Sequence, residues 1–228
     1  MLKLMVVFIM TFILLACSKS EQSEPEGQVV PQENLVMEAD TTISFDNDEV
    51  GEMPAGWSNY LTGKGELGKW GVRQDQDNKV LVQASQENFG YHFDVIVWEE
   101  SNYKDLQLSV KFKGVEGKED QGGGPVWRYQ DADNYYIARA NPLENNFRVY
   151  KVVNGNRKQL ASAGIKVTSG EWHTISIKMV GNHIECFYDG KKHLDVTDDT
   201  FKSSGKIGLW TKADAVTYFD DLQIGKIQ

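Results

Sequence analysis

"GEWHTISIKMVGNHIECFYDGKKHLDV", residues 170–196, decides the fold class. In "HTISIKMV" (173–180) Ile175, Ile177 and Met179 alternate with polar neighbours, the period-two pattern of a strand with one buried face. Gly181–Asn182 follows, then "HIECFY", then Asp189–Gly190, then "KHLDV". Gly-Asn and Asp-Gly are hairpin dipeptides, because tight hairpin turns need positive φ. The span 172–196 therefore reads as a three-stranded meander. Trp172, Ile175, Ile177 and Leu194 are expected in the core, together with Leu209 further on.

The same pattern spreads outward. "LQLSVKFK" (106–113) sets Leu106, Leu108, Val110 and Phe112 against polar alternates. "KVLVQA" (79–84), "YHFDVIVW" (91–98), "NYYIARA" (134–140) and "FRVYKVV" (147–153) add four strands, and "GKIGLWT" (205–211) and "VTYFDDLQIG" (216–225) close the chain. No stretch carries a helical period beyond a turn or two. Short strands with frequent turn signals and no helix make an all-β sandwich of two antiparallel sheets.

The start of the chain reads as an address. A basic Lys3, an apolar run from Leu4 to Leu15, and the ending Leu14–Leu15–Ala16–Cys17 form a secretory signal too short to span a bilayer. The Leu-x-Ala-Cys ending resembles the bacterial lipobox, which implies acylation of Cys17 and membrane attachment through that lipid. Residues 1–16 are the signal, and 17–40 are an acidic tether rich in Ser, Glu, Gln and Pro that cannot bury enough surface to order itself. Residues 41–228 are one domain. The expected location is the bacterial outer membrane or cell surface, lipid-anchored. The net charge of −9 and the lack of a basic block exclude nucleic acid as a partner. With Cys17 acylated, Cys186 is the only cysteine left, so no intramolecular disulfide forms, and its place in an alternating strand makes it an inert core thiol. The four histidines show no metal-ligand spacing.

Three stretches carry a family resemblance: "FDNDEVGEMPAGW" (45–57), the meander at 170–196, and "GKIGLWTKADAVTYFDDLQI" (205–224). They resemble concanavalin A-like jelly rolls, and within those the laminin-G-like and 3-keto-disaccharide hydrolase branch, over roughly residues 43–225. The resemblance implies a jelly-roll sandwich that carries sugars on its concave sheet. The family-16 glucanases of the same superfamily place two glutamates and an aspartate on one strand as Glu-x-Asp-x-x-Glu. Neither "VWEESN" (97–102) nor "VEGKED" (115–120) fits that spacing, so a retaining glucanase is excluded. For keto-sugar hydrolysis the candidate acid–base groups are Asp131, Asp133, Glu144 and His173.

The densest polar-aromatic stretch is "GGGPVWRYQDADNYYIARANP" (122–142). Pairing Arg139 with Arg148 across a hairpin puts Ala138, Ala140, Phe147 and Val149 on the buried face. Tyr135, Ile137, Arg139, Arg148 and Tyr150 then share the other face, because a one-residue slip would bury an arginine beside Phe147. Aromatic faces stack on sugar rings and arginine forks reach hydroxyls or carboxylates. Tyr135, Arg139, Arg148 and Tyr150 are the expected glycan-binding residues, with Trp127, Arg128, Trp210 and Lys212 on the rim. An open face of this kind would lose Arg139 to alanine with little effect on stability. The glycine triplet is either a flexible rim loop or a strand connection. Asp46, Asp48 and Asp221, near the first and last strands, form a candidate structural Ca²⁺ site. Three classes of function remain: a carbohydrate-binding or carbohydrate-processing lipoprotein, a 3-keto-glycoside hydrolase, and a non-enzymatic structural or protein-binding envelope module.

Overall fold

The computed structural model describes residues 35, 37–88 and 90–227. The signal, Cys17 and most of the tether lie outside the described residues. Among the described residues fifteen strands follow one another: β1 (Thr41–Ile43), β2 (Trp57–Gly63), β3 (Trp70–Asp75), β4 (Asn78–Gln83), β5 (His92–Tyr103), β6 (Leu106–Glu116), β7 (Gly123–Asp131), β8 (Asn134–Asn141), β9 (Asn146–Val153), β10 (Asn156–Gly164), β11 (His173–Val180), β12 (His183–Tyr188), β13 (Lys191–Thr197), β14 (Gly205–Lys212) and β15 (Val216–Lys226). The first sheet runs β13-β12-β11-β6-β15-β4-β3, with β1 also paired to β15; the second runs β10-β9-β8-β7-β14-β5-β2. All pairings between these strands are antiparallel, and the fold is an all-β jelly-roll sandwich. Among the described residues no helix is long and apolar enough to cross a membrane.

The meander forms as its sequence requires: β11 pairs with β12, and β12 with β13. Asp189 (φ 48°) and Gly190 (φ 77°) both take the left-handed region that a primed hairpin turn demands. Ile175, Ile177, Leu194 and Leu209 are buried, and Cys186 is a buried free thiol whose pKa burial pushes up. Trp172 departs from expectation. It is 37% exposed, because it precedes β11 and lies outside the pleat, with Lys113 Nζ 4.7 Å above its ring.

The main core lies between the sheets. Leu106, Leu108, Val110 and Phe112 of β6 meet Trp127, Tyr136, Ala138, Ala140, Phe147 and Val149 of the second sheet. Burying each large apolar side chain contributes about 1.5–3 kcal/mol. The triplet Gly122–Gly124 is neither a flexible loop nor a strand connection; Gly123 and Gly124 begin β7. A Cβ on Gly123 would sit 2.7 Å from the Phe219 ring, and one on Gly124 would sit 2.0 Å from the Ala138 carbonyl. The glycines are there so that β7 can approach its neighbours closely.

The second sheet also curls over its outer face. Between β2 and β8 stand three strands, so a flat sheet would hold them about 19 Å apart. Yet Thr62 of β2 hydrogen-bonds both the Ala132 carbonyl and the Tyr135 hydroxyl, the latter at 2.7 Å. Beside this clasp the Tyr91 hydroxyl donates to the Gly155 carbonyl at 2.8 Å. The curl turns the outer face into a second, smaller core of Phe93, Val95, Val97, Val126, Tyr129, Tyr135, Ile137, Tyr150, Val152 and Trp210.

Candidate functional site

The hairpin register is the expected one: Arg139 faces Arg148, and Ala138 faces Val149. Ala138, Ala140, Phe147 and Val149 are in the main core, and Tyr135, Ile137 and Tyr150 are on the opposite face. That face is not the open platform anticipated from the sequence. Tyr135, Ile137 and Tyr150 are buried by the curl of the sheet, and Arg139 is 1% exposed. Its burial is compensated by carboxylates. Arg139 Nη2 lies 3.1 Å from Glu144 Oε1 and 3.6 Å from Asp120 Oδ2, and Nη1 donates to the Tyr150 hydroxyl at 3.3 Å. The two ion-pair contacts are close in distance without hydrogen-bond alignment, so Arg139 Nη2 and Nε have no hydrogen-bond partner.

Two rim residues belong elsewhere. Trp127 is in the main core, stacked on Tyr136 at 5.6 Å with its Nε1 donating to Met179 Sδ. Arg128 takes a positive φ of 47° where the β7–β8 register shifts. This bulge removes Arg128 from the face that strand parity would give it. Its guanidinium donates instead to the Lys104, Phe201 and Gly181 carbonyls and to Asp105, a clamp between loops. Trp210 is on the outer face, fully buried against Phe93. Lys212 is at the rim as expected, 3.0 Å from Glu119 Oε1 and 3.8 Å from Asp120 Oδ2.

The side chains that remain reachable thus form an ionic rim at one end of the curled face: Glu119, Glu144, Arg148 and Lys212, around the buried Asp120, Arg139 and Tyr150. Asp214 builds part of it. Its carboxylate accepts the backbone N–H groups of Lys118, Glu119 and Asp120 at 2.6–3.1 Å, fixing the loop that presents Asp120. Asp120 Oδ1 accepts from Gly122 N at 2.7 Å and from Asn141 Nδ2 at 3.1 Å. Burial pushes the Asp120 carboxyl above the usual range, and Arg139 only partly opposes this. Glu144 moves the other way. Burial raises it, but the hydrogen bond from Asn146 and the nearby charges of Arg139 and Arg148 outweigh that and lower it. One arginine therefore separates two carboxyl groups whose proton affinities are pushed apart, which is how acid and base roles are divided.

Of the four acid–base candidates, the structure brings only Glu144 to this rim. Asp131 accepts from Asp133 N and Asn134 Nδ2 as a turn cap, and His173 Nδ1 pairs with Asp189 Oδ2 at 2.9 Å on the first sheet. Asp133 lines a separate cleft of about 580 Å³ with Gly63, Lys64, Tyr91, Asn154, Gly155 and Asn156. Among the described residues no three His, Cys, Asp or Glu side chains gather as a metal site. Asp221 Oδ2 pairs with Lys111 Nζ at 2.6 Å. Burial first, then Asp221 and Asp46, raise the pKa of neighbouring Asp220.

A family model described as the 3-keto-alpha-glucoside-1,2-lyase-like domain matches residues 41–225. The chain belongs to this family. Solved structures agree on the fold. Carbohydrate-binding module CBM66 from Bacillus subtilis is 18% identical with a TM-score of 0.60, over 75% of this chain and 96% of that one. Domain 4 of AbnA, a GH43 extracellular arabinanase from Geobacillus stearothermophilus solved with arabinotriose, is 14% identical with a TM-score of 0.54, over 81% and 90% of the two chains. A search of curated proteins gives no match. Residues 41–225 are thus a 3-keto-alpha-glucoside-1,2-lyase-like domain with a jelly-roll fold.

Proposed function

We propose that the ionic rim of the second sheet cleaves a glycoside whose sugar carries a ketone at C3. The observation that carries this reading is the pair Asp120 and Glu144 on either side of Arg139, with proton affinities pushed in opposite directions. A C3 ketone acidifies the hydrogen on C2. The Glu144 carboxylate takes that proton, the electron pair forms the C1=C2 double bond, and the C1–O bond breaks. The departing oxygen takes its proton from Asp120. Arg139, between the two, supplies positive charge from beneath as negative charge builds on O3, the preorganised electrostatic help that such an enolate needs. The family's description supports this class of reaction. The test is turnover of a 3-keto disaccharide. Glu144→Gln and Asp120→Asn should each lower kcat about 100-fold or more, as loss of a positioned acid or base does. Unchanged kcat in both variants would remove the catalytic reading.

A second reading, glycan capture without cleavage, is favoured by the commitment of Asp120 Oδ1 to Gly122 and Asn141 and by the burial of that side chain. It expects unoxidised glycans to bind Glu144→Gln as tightly as the parent. We also propose export and lipid attachment at Cys17, on the strength of the lipobox-like sequence and the acidic tether. Cys17→Ser should then release the protein from membranes, and a variant still found with membranes after processing contradicts the anchor.

A further inference from the structure

The outer face of the second sheet gathers more cations than carboxylates. Arg139, Arg148 and Arg157 all meet Tyr150. The first two direct Nη1 at its hydroxyl, at 3.3 and 3.5 Å, and the guanidinium carbon of Arg157 lies 4.5 Å from its ring centre. Lys212 completes the group. Glu144 is engaged with Arg139 and Arg148, and Glu119 with Lys212. Asp120 is biased toward its neutral form by burial. In a chain of net charge −9, this is a local reversal of sign.

Arg157 is the cation left over. No carboxylate among the described residues pairs with it, and its Nη1 is buried without a hydrogen-bond partner. Three rings hold it: Tyr150, Phe93 at 4.8 Å and Trp210 at 5.5 Å. Cation–π contact accounts for its position. Ring faces give Arg157 Nη1 no acceptor, and a buried donor without one is left unsatisfied. A guanidinium fixed in place with donors to spare is a preorganised receptor for a planar oxyanion. A place for the rest of a saccharide adjoins it. The Tyr91 hydroxyl accepts from Arg157 N, and Tyr91, 49% exposed, lines the cleft of about 580 Å³ with Asn154 and Asn156.

We propose that Arg157, seated on Phe93, Tyr150 and Trp210, receives the carboxylate or sulfate of an anionic sugar, so that the glycan held on this face carries negative charge. The proposal rests on the reading of the face as a sugar site. The experiment is calorimetric titration of the mature protein with three glucose disaccharides that differ only at C6 of one ring: unmodified, oxidised to the uronate, or sulfated. The uronate, the sulfate ester or both should bind about tenfold or more tightly than the neutral sugar, the worth of one charge-assisted hydrogen bond. The preference should shrink with added salt. Arg157→Gln should erase it while leaving the neutral sugar's affinity unchanged, and Arg157→Lys, which keeps charge without the fork, should retain part of it. Lys also serves as the readout if the Gln variant melts early. Neutral binding as tight as anionic, or a preference that survives both variants, overturns the anionic inference and leaves the sugar site standing. Failure of all three sugars to bind the folded protein overturns both.

Discussion

Arg139→Ala separates an open ligand face from the buried ion pair found here. The substitution removes a guanidinium that is 1% exposed and leaves Asp120, also 1% exposed, with Lys212 at 3.8 Å as its remaining cation. Breaking a buried pair by deleting one partner costs about 3–5 kcal/mol. The hydrogen bonds from Gly122 and Asn141 persist and Asp120 can take a proton, which places the loss near the lower end, about 3 kcal/mol. The pH dependence has a definite sign. Burial already holds the Asp120 pKa above its unfolded value, and loss of the arginine raises it further. A group whose folded pKa is raised contributes stability below its unfolded pKa, about 3.9, and loses it as pH rises through the folded value. The destabilisation should therefore be larger at pH 8 than at pH 5 in urea melts followed by tryptophan fluorescence. The double variant Arg139→Met/Asp120→Asn should recover much of the loss, since no charge is then left unpaired. A loss below about 1 kcal/mol, or equal losses at both pH values, would refute the buried-pair account.

Further outcomes follow from other parts of the molecule. Burial raises Asp94, paired to His92 at 2.8 Å, to about 6. It should contribute about 1–3 kcal/mol that is present below pH 4 and lost as pH rises through 6. Asp94→Asn should flatten that slope in denaturant melts, and an unchanged slope would acquit Asp94. Ile177→Ala, in the main core, should cost about 2–5 kcal/mol; a loss under about 1 kcal/mol would show the face assignment to be wrong. A structural Ca²⁺ at Asp46, Asp48 and Asp221 would have to displace Lys111 from Asp221. If the ion is bound there, chelator should lower the melting temperature, and an unchanged melt in chelator and in millimolar calcium would remove the site. Asp214→Ala should free the loop bearing Asp120, seen as faster amide exchange at Lys118, Glu119 and Asp120.

Strand-level structure was legible because it is local. Alternation in β6, β8, β9 and β11 and the Asp-Gly turn fixed pairing partners, and the cost of burying an arginine beside Phe147 selected the Arg139–Arg148 register that the structure shows. Four features were hidden, each for a physical reason. Glycines carry no alternating side chains, so the start of β7 reads as a loop or a strand connection. A bulge leaves no mark on composition, so nothing in the sequence took Arg128 off the rim. Asp120 sits in a loop positioned by Asp214, a partner 94 residues away. Arg157 lies in β10, "NRKQLASAG", where an edge strand with partly exposed faces shows no period.

Alternation states which side of a sheet a residue occupies and is silent on depth, and the depth of the candidate site came from the curl. The Thr62–Tyr135 and Tyr91–Gly155 contacts join strands and turns far apart in sheet order, and no local pattern encodes them. Once the curl forms, the aromatic rings of the outer face bury one another and stop being a platform. Long charged side chains still reach its edge, because their heads extend past the rings that cover their stems. The chemistry thus moves from the middle of the face to its rim. The sequence-level candidates there divide accordingly: Tyr135 and Trp210 become support, Tyr150 and Arg139 become the link between support and rim, and Arg148, Lys212 and Glu144 keep contact with solvent. A sugar bound as proposed would therefore be gripped by charge and hydrogen bonds at its edge, with ring stacking left to exposed Tyr91 beside Arg157.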